Sequence, residues 1–416
     1  MMRAAVWSAS DAVCVKELPK PTLAPGRSSP NGAKNPDVLV QVKAFGLNPV
    51  DYKIRTWAWR WFRQPTLGRD FAGVVVDIEK GEVGEDEAIA MATPSPVVPA
   101  AHSTQQQQRP LLKKGDFVMG IGNMDAGAEF VKIKASRLVK KPATLSFSEA
   151  AGVGVVYMTG IYGLFAKTPA SQNGTNRTAL KEKDKILILG ASGGTGSAAV
   201  QLGKSVGAVV YAVCSKKNAD FVRDQLKADF VFPYDGEGNA GPASASLTDR
   251  IQQQLLRDEE HEGGTMTNDG KNANAVERAD GRRSTITTGE GSFDLIYDTV
   301  SSGDGMDTDY EPIFRPLLKK GHFYVALNSP NKLDWVRALL STGTGKQWNR
   351  EGYDLFLPTP TVQDWQWLHD WFEKNADIKP ILDSVFPFTS DGVTDAVKRV
   401  QSRRAKGKVV VEIMGE

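Results

Sequence analysis

Four glycines recur within residues 190–196 (GASGGTG), a spacing that can serve phosphate binding. The run before them, residues 185–189 (KILIL), is continuously apolar, as expected of a strand buried on both faces of a parallel sheet. Apolar residues then recur at helical spacing up to residue 206. A glycine turn between a buried strand and a helix lets backbone N–H groups and the positive end of the helix dipole approach a pyrophosphate. We therefore predict a dinucleotide diphosphate site made of Gly190, Ala191, Ser192, Gly193, Gly194, Thr195 and Gly196.

The end of the second apolar strand, residues 209–213, indicates which dinucleotide is preferred. NAD sites place Asp or Glu there, about 20 residues after the glycine turn, to bind the ribose hydroxyls. This chain has Ser215, Lys216 and Asn218 instead. Hydroxyl, ammonium and amide groups suit a 2′-phosphate, which a carboxylate would repel, so we predict NADPH as the cofactor. The alternative is an ordinary solvated loop, which lysines also favour.

The same segment allows a second interpretation, because residues 190–194 also match the G-x-S-x-G pattern of a hydrolase nucleophile elbow. Asp298 and His322 follow in the order that a Ser-Asp-His triad would need. An elbow does not require glycines at positions 190, 193 and 196, whereas a phosphate turn does. The dinucleotide site is therefore favoured, and the hydrolase is tested by ester cleavage after Ser192→Ala.

Composition excludes several other classes of protein. The 416 residues are 41% hydrophobic and 24% charged, with 51 basic and 49 acidic residues, so a nucleic-acid partner is not expected. No apolar run is long enough for a membrane span, and residues 1–7 lead directly into strand-like sequence, so no leader peptide is expected. We expect a cytoplasmic location, with an organelle left open.

Cysteine and histidine are too few for the common metal sites. Only Cys14 and Cys214 are present, and the four histidines are scattered without an HExxH pattern. Two cysteines cannot build a four-cysteine zinc site, and they do not make a disulfide framework. We predict no bound metal.

Two domains are expected from the length and from the change of pattern along the chain. Short strand-like segments interrupted by Gly and Pro occur in the first 80 residues and again at residues 117–120, and strand–helix alternation typical of a doubly wound parallel sheet begins at residue 185. A helix near residues 362–374 and a strand at 408–413 close the chain. Polar or low-complexity composition indicates loosely ordered insertions at residues 82–110, 168–180 and 236–291, the last with one helix near residues 247–257.

Five motifs in order give a more specific identification. They are GLNPVDYK from residue 46, GRDFAG from 68, AAGVGVVYMTGIYG from 150, the glycine turn with its helix, and FDLIYDT from 293, followed by AKGKVVV from 405. Together they resemble the zinc-free medium-chain dehydrogenase/reductase superfamily, in particular its quinone oxidoreductase-like branch with the reticulon-interacting and chloroplast envelope homologues. The similarity covers nearly the whole chain apart from the insertions.

The resemblance implies a Rossmann domain at residues 150–355, inserted into a β-rich GroES-like catalytic domain made of residues 1–149 and 356–416. It also implies a nicotinamide cleft between the domains and hydride transfer from NADPH to a quinone or an α,β-unsaturated carbonyl. Dimers are frequent among relatives, so a homodimer is an open expectation. The alternative function is an NADPH-binding, redox-responsive interaction protein with incidental turnover.

The motif match to the family implies roles for individual residues. Asn48 would orient the carboxamide of the cofactor or donate to the oxygen of the acceptor. Asp51 would order the loop, with capping of the next helix as the structural alternative. Tyr52 would protonate the developing anion or simply pack. Thr159 would contact the nicotinamide or cap a helix, and Tyr234 would join Lys216 beside the adenosine phosphate.

Overall fold

The structure is a computed structural model. It describes residues 1–8, 12–23, 35–57, 66–79, 112–165, 179–235, 246–261, 264–269, 273–278, 283–286, 291–302, 309–344 and 349–413. The chain divides into two compact units, the first made of Met1–Thr159 and Thr359–Glu416 and the second of Gly160–Pro358. The predicted insertion at 82–110 lies outside the described residues, as does the part of the second insertion up to residue 178.

The first unit is built on antiparallel strands. They are β1 (Met2–Trp7), β2 (Val13–Leu18), β3 (Asp37–Leu47), β4 (Asp70–Ile78), β5 (Phe117–Ile121), β6 (Phe130–Lys134), β7 (Leu138–Lys140), β17 (Leu382–Pro387) and β18 (Lys408–Glu412). β1 pairs with β2, while the larger sheet runs β17-β18-β3-β4-β5-β7 with β6 also on β3. All pairings in it are antiparallel except β17 with β18.

The apolar alternation of β3 explains how this unit acquires its core. Val38, Val40 and Val42 point to one face and are buried, as the period of two in a strand requires. Phe45 lies in the same cluster and meets Phe388 edge to face at 5.9 Å between ring centroids. The helices of this unit are α1 (Pro49–Trp57), α2 (Phe147–Ala151), α8 (Val362–Lys374) and α9 (Ser390–Gln401), and α3 (Gly154–Leu164) begins in it.

The second unit confirms the doubly wound parallel sheet. Its six parallel strands run in the order β10-β9-β8-β14-β15-β16, which is that of a dinucleotide-binding fold. The strands are β8 (Lys185–Leu189), β9 (Val209–Cys214), β10 (Phe230–Pro233), β14 (Phe293–Asp298), β15 (Leu318–Ala326) and β16 (Tyr353–Leu355). The helices are α4 (Gly194–Ser205), α5 (Leu247–His261), α6 (Glu311–Phe314) and α7 (Lys332–Thr344).

Part of the third predicted insertion is more ordered than its composition indicated. Helix α5 confirms the predicted helix, but the polar stretch after it forms a three-stranded antiparallel sheet of β11 (Gly264–Asp269), β12 (Ala273–Arg278) and β13 (Arg283–Ile286). The expectation of loose order was wrong there. Pairing between strands that are neighbours in sequence satisfies the backbone locally, and β-branched residues such as Thr265 and Val276 favour extended backbone whatever the overall polarity.

Candidate functional site

The first predicted site residues lie where β3 passes into α1. Asn48 directly precedes the helix, whose first residue is Pro49, a residue suited to that position. Asp51, in the first turn, turns back so that its Oδ2 accepts the backbone N–H of Asn48 at 2.7 Å. This is half of a capping box, so the capping alternative for Asp51 agrees with the geometry.

The Asn48 side chain takes part in a buried polar cluster. Its Nδ2 donates to Asp70 Oδ2 at 3.0 Å, and its Oδ1 accepts from Lys408 Nζ at 2.6 Å. Lys408 Nζ also donates to Asp70 Oδ2 at 2.9 Å and to the carbonyl oxygen of Leu47 at 2.9 Å. Lys408 is 4% exposed and Asp70 is fully buried, so the ion pair lies out of water.

Asp70 also holds the start of α3. Its Oδ1 accepts the backbone N–H of Val155 at 2.7 Å, in the first turn of that helix, where N–H groups lack intrahelical acceptors. A Cβ on Gly154 would lie 2.5 Å from the same oxygen, so glycine allows the carboxylate to approach. One carboxylate therefore connects β4, α1, α3 and β18.

Asp51 is buried, and few hydrogen bonds replace the water that its carboxylate loses. Its Oδ1 has no hydrogen-bond partner among the described residues. Burial raises the pKa of Asp51 to about 7, assisted by the charge of Asp70 and opposed by the Asn48 N–H and the Lys408 ammonium. At neutral pH this carboxyl is therefore a mixture of neutral and ionised forms.

A cavity of about the volume of one water molecule adjoins Asp51. Tyr52 is half-buried and packs against the core of the first unit, which agrees with the packing alternative; its role as a proton donor stays a prediction. The lining residues are Trp7, Leu47, Asn48, Asp51, Tyr52, Leu67, Val397 and Val400.

Sequence reasoning missed the roles of Asp70 and Lys408, although both stand in motifs quoted above. The sequence does indicate that Lys408 needs a partner, because it is the first residue of the apolar strand KVVV and a charge in a buried strand must be paired. The partner could not be named from sequence, since Asn48 and Lys408 are 360 positions apart.

Thr159 lies in the middle of α3, which excludes the helix-capping alternative. It is buried, and its Oγ1 donates to the carbonyl oxygen of Val155 at 2.6 Å, four residues earlier. Its contact with a nicotinamide stays a prediction.

The predicted phosphate turn is found between β8 and α4. Gly190 has φ +78°, a left-handed conformation that favours glycine. The N–H groups of Gly190 and Ala191 both donate to the carbonyl oxygen of Val213 at 3.0 Å, which fixes the turn to β9. A Cβ on Gly196 would lie 2.1 Å from the Gly190 carbonyl oxygen, so the helix can approach only without a side chain there.

The turn fits a diphosphate. Among the described residues, a Cβ added at Gly193 would meet one atom, the Gly190 carbonyl oxygen at 3.4 Å, so no other described group crowds the backbone there. Gly193 is the N-cap of α4 and offers no side-chain cap, which leaves the first N–H groups of the helix for an anion. The half-buried Thr195 lies in this first turn, next to Gly194.

The loop after β9 contacts the turn. Asn218 Nδ2 donates to Ser192 Oγ at 3.0 Å, Ser215 is buried, and Lys216 is exposed. Tyr234 is 52% exposed, and its backbone N–H donates to Cys214. Sequence reasoning missed the carboxylate of Asp235 nearby, whose Oδ1 accepts the backbone N–H of Lys216 at 2.5 Å.

The hydrolase triad is not assembled. Both Asp298 oxygens are engaged, Oδ2 by Tyr324 at 2.6 Å and Ser301 at 2.5 Å, and Oδ1 by backbone N–H groups. His322 Nδ1 instead pairs with the carbonyl oxygen of Asp294 at 2.8 Å. Asp294 binds the N–H of Lys185, at the start of β8, whereas the turn follows the other end of that strand. The hydrolase interpretation is therefore wrong.

Comparison with known proteins identifies the family. Residues 34–143 match the alcohol dehydrogenase GroES-like domain, and residues 273–411 match a family described as zinc-binding dehydrogenase. The chain is 32% identical over 222 residues to trans-enoyl reductase tazE of Aspergillus terreus, covering 52% of this chain and 67% of that one. It is 31% identical over 218 residues to the chloroplastic quinone-oxidoreductase homolog of Spinacia oleracea, covering 52% and 56%.

A solved structure shows the same fold. The quinone oxidoreductase from Coxiella burnetii superposes with a TM-score of 0.62 at 18% identity, covering 99% of both chains. Within the part of the chain that is described, no helix is both long and apolar enough to cross a bilayer. The chain belongs to the medium-chain dehydrogenase/reductase superfamily of nicotinamide-dependent oxidoreductases, in its zinc-free, quinone oxidoreductase-like branch.

Proposed function

We propose that this protein is an NADPH-dependent reductase that transfers a hydride to a quinone or an α,β-unsaturated carbonyl. The observation that carries the proposal is the open glycine turn joined by Asn218 to a loop bearing Ser215 and Lys216. These side chains suit the 2′-phosphate that distinguishes NADPH from NADH. The carboxylate of Asp235 accepts the Lys216 backbone N–H and is an opposing negative charge, which the Lys216 ammonium offsets.

Support for the acceptor class comes from the relatives, one named a trans-enoyl reductase and another a quinone-oxidoreductase homolog. Enones and quinones share a conjugated carbonyl whose oxygen gains negative charge when hydride adds to the conjugated carbon. Bound NADPH supplies that hydride. The amide of Asn48 is a suitable donor to such an oxygen, and a proton from Tyr52 or from water completes the reduction.

The remaining expectations are proposals of the same kind. The substrate is a small molecule, a nucleic-acid partner is not expected, and the site needs no metal. A cytoplasmic location is proposed with an organelle left open, and a homodimer stays an open expectation. Cofactor residues are those of the turn together with Thr159, Ser215, Lys216, Asn218 and Tyr234.

The loop bearing Ser215 and Lys216 should give the protein a preference for NADPH over NADH. NADPH oxidation, followed by absorbance against a panel of quinones and enones, should exceed NADH oxidation by roughly tenfold to hundredfold, the range that one or two charge-assisted hydrogen bonds provide. Lys216→Glu should abolish the preference, because a carboxylate repels the 2′-phosphate. Lys217→Glu is the matched control, as an exposed neighbouring lysine.

Equal use of both dinucleotides by the unaltered protein would contradict the NADPH assignment. Tight NADPH binding without turnover on any acceptor would instead favour the interaction protein. No binding of either dinucleotide would reject both functions.

A further inference from the structure

We propose that Lys408 and Asp70 are positioning residues, which lock the Asn48 amide so that it presents an N–H donor to the acceptor oxygen. The proposal rests on the proposed reductase function and deepens it. It assigns a role to two residues that the sequence analysis quoted in motifs without giving them a function, and its evidence lies entirely within the first unit.

The Lys408 ammonium is fully engaged in hydrogen bonds within the first unit. The ammonium has three protons, and three acceptors lie within hydrogen-bond distance: Leu47 O at 2.9 Å, Asn48 Oδ1 at 2.6 Å and Asp70 Oδ2 at 2.9 Å. Lys408 therefore has no proton left for a substrate. Its role is to hold its neighbours.

Lys408 and Asp70 together fix the orientation of the Asn48 amide. The amide oxygen of Asn48 faces the ammonium, and the amide nitrogen faces the Asp70 carboxylate at 3.0 Å. A flipped amide would place N–H groups against the ammonium and an oxygen against the carboxylate, both repulsive. Because the ion pair is buried, water cannot screen this difference, so a single orientation is selected.

The Asn48 amide, held in this orientation, keeps one N–H donor. An Asn amide nitrogen carries two protons, and one is used by Asp70. Among the described residues no acceptor is recorded for the other. The ammonium at Oδ1 also draws electron density from the amide, which strengthens that remaining donor. A strong preorganised donor is suited to an oxygen that becomes negative during hydride addition.

The test uses a neutral version of the pair, Asp70→Asn with Lys408→Met. Lys408→Met alone would leave a buried carboxylate uncompensated and so endanger the fold, whereas removing both charges together does not. The matched control is Asp383→Asn with Arg399→Met, which removes another ion pair of the same unit, joined at 2.5 Å.

For the Asp70/Lys408 variant we expect kcat to fall by roughly a hundredfold, as when one oxyanion donor is lost, while the NADPH dissociation constant stays within about twofold. The control variant should keep its kcat. An unchanged kcat in a folded Asp70/Lys408 variant would overturn the proposal.

A readout independent of turnover separates this inference from the proposed function. In proteins labelled with ¹⁵N-asparagine, the Asn48 side-chain amide signal, assigned by its loss in Asn48→Leu, should shift and exchange faster with solvent in the neutral variant. The control should leave it unchanged. If the wild type turns over no acceptor, the reductase function fails, and this signal still decides whether the lock exists; an unmoved signal rejects it.

Discussion

Two buried carboxylates in the first unit differ in how many hydrogen-bond donors surround them. Asp70 accepts hydrogen bonds from Asn48, Val155 and Lys408, and the Lys408 ammonium is positively charged. Asp51 accepts one backbone N–H, and its second oxygen has no hydrogen-bond partner within the described part of the chain. Burial therefore raises the pKa of Asp51 to about 7.

This pKa predicts a pH-dependent stability. The folded-state pKa lies above the unfolded value of 3.8, so folding favours the neutral acid. Its contribution is complete below about pH 4 and is lost as pH rises to about 7. Relative to Asp51→Asn, the free energy of unfolding of the wild type should fall by about 4 kcal/mol across this range, at about 1.4 kcal/mol per pKa unit.

Urea unfolding of both proteins between pH 4 and pH 8 measures the effect. Asparagine keeps an acceptor for the Asn48 N–H, so the helix start is preserved. Asp391→Asn, at an exposed position, is the control and should track the wild type. A difference independent of pH would show that Asp51 ionises normally in the folded chain.

At this scale sequence reasoning recovered the residues that sit in a local motif. Asn48 and Asp51 are three positions apart, and their contact follows from helix-capping rules. Lys408 was missed because its partner is brought to it by the pairing of β18 with β3, which no local pattern encodes. Asp235 was missed for a related reason: its contact depends on where β10 ends beside β9.

Among the elements, the strand–turn–helix unit at β8 and α4 needs glycine at two positions for different reasons. Gly196 is needed for packing, because a Cβ would be 2.1 Å from the Gly190 carbonyl oxygen. At Gly193 the described residues leave space for a side chain, so a substitution there would obstruct a ligand rather than the described part of the protein.

The two substitutions should therefore separate binding from stability. Gly193→Ala should weaken NADPH binding by tenfold or more, with a melting temperature close to that of the wild type. Gly196→Ala should weaken NADPH binding and also lower the melting temperature, since the turn or the helix must shift. Calorimetric titration and thermal unfolding measure the two quantities. A strongly destabilised Gly193→Ala would mean that the turn is closed rather than open.

Elements with strong periodicity or apolar runs were predictable, and short or mixed ones were not. β8, β9 and α8 agree with expectation, because burial on both faces or a regular apolar stripe leaves a clear pattern. β16 has three residues, too few for any period to show. α7 was missed because apolar residues lie on more than one side of it: Leu333, Val336 and Leu339 are exposed, whereas Trp335 and Ala338 pack on the core, so no single apolar stripe stands out.

Over the whole molecule, the first unit is assembled from both ends of the chain, while the second is continuous. Each has its own hydrophobic cluster, one around Phe45 and Phe71 and the other around Tyr211 and Phe293. The predicted cofactor-binding turn lies in the second unit alone. Ligand binding should therefore stabilise that unit most.

Hydrogen exchange on the full chain tests this expectation. At NADPH concentrations 100 times the dissociation constant, the opening free energy of amides in β8 and α4 should rise by about 2.7 kcal/mol. Amides of β3 and β18 should rise less, because units with separate cores open separately. Lys216→Glu at the same NADPH concentration is the control, and its protection should increase less. An equal rise in both units would show that they open as one cooperative body.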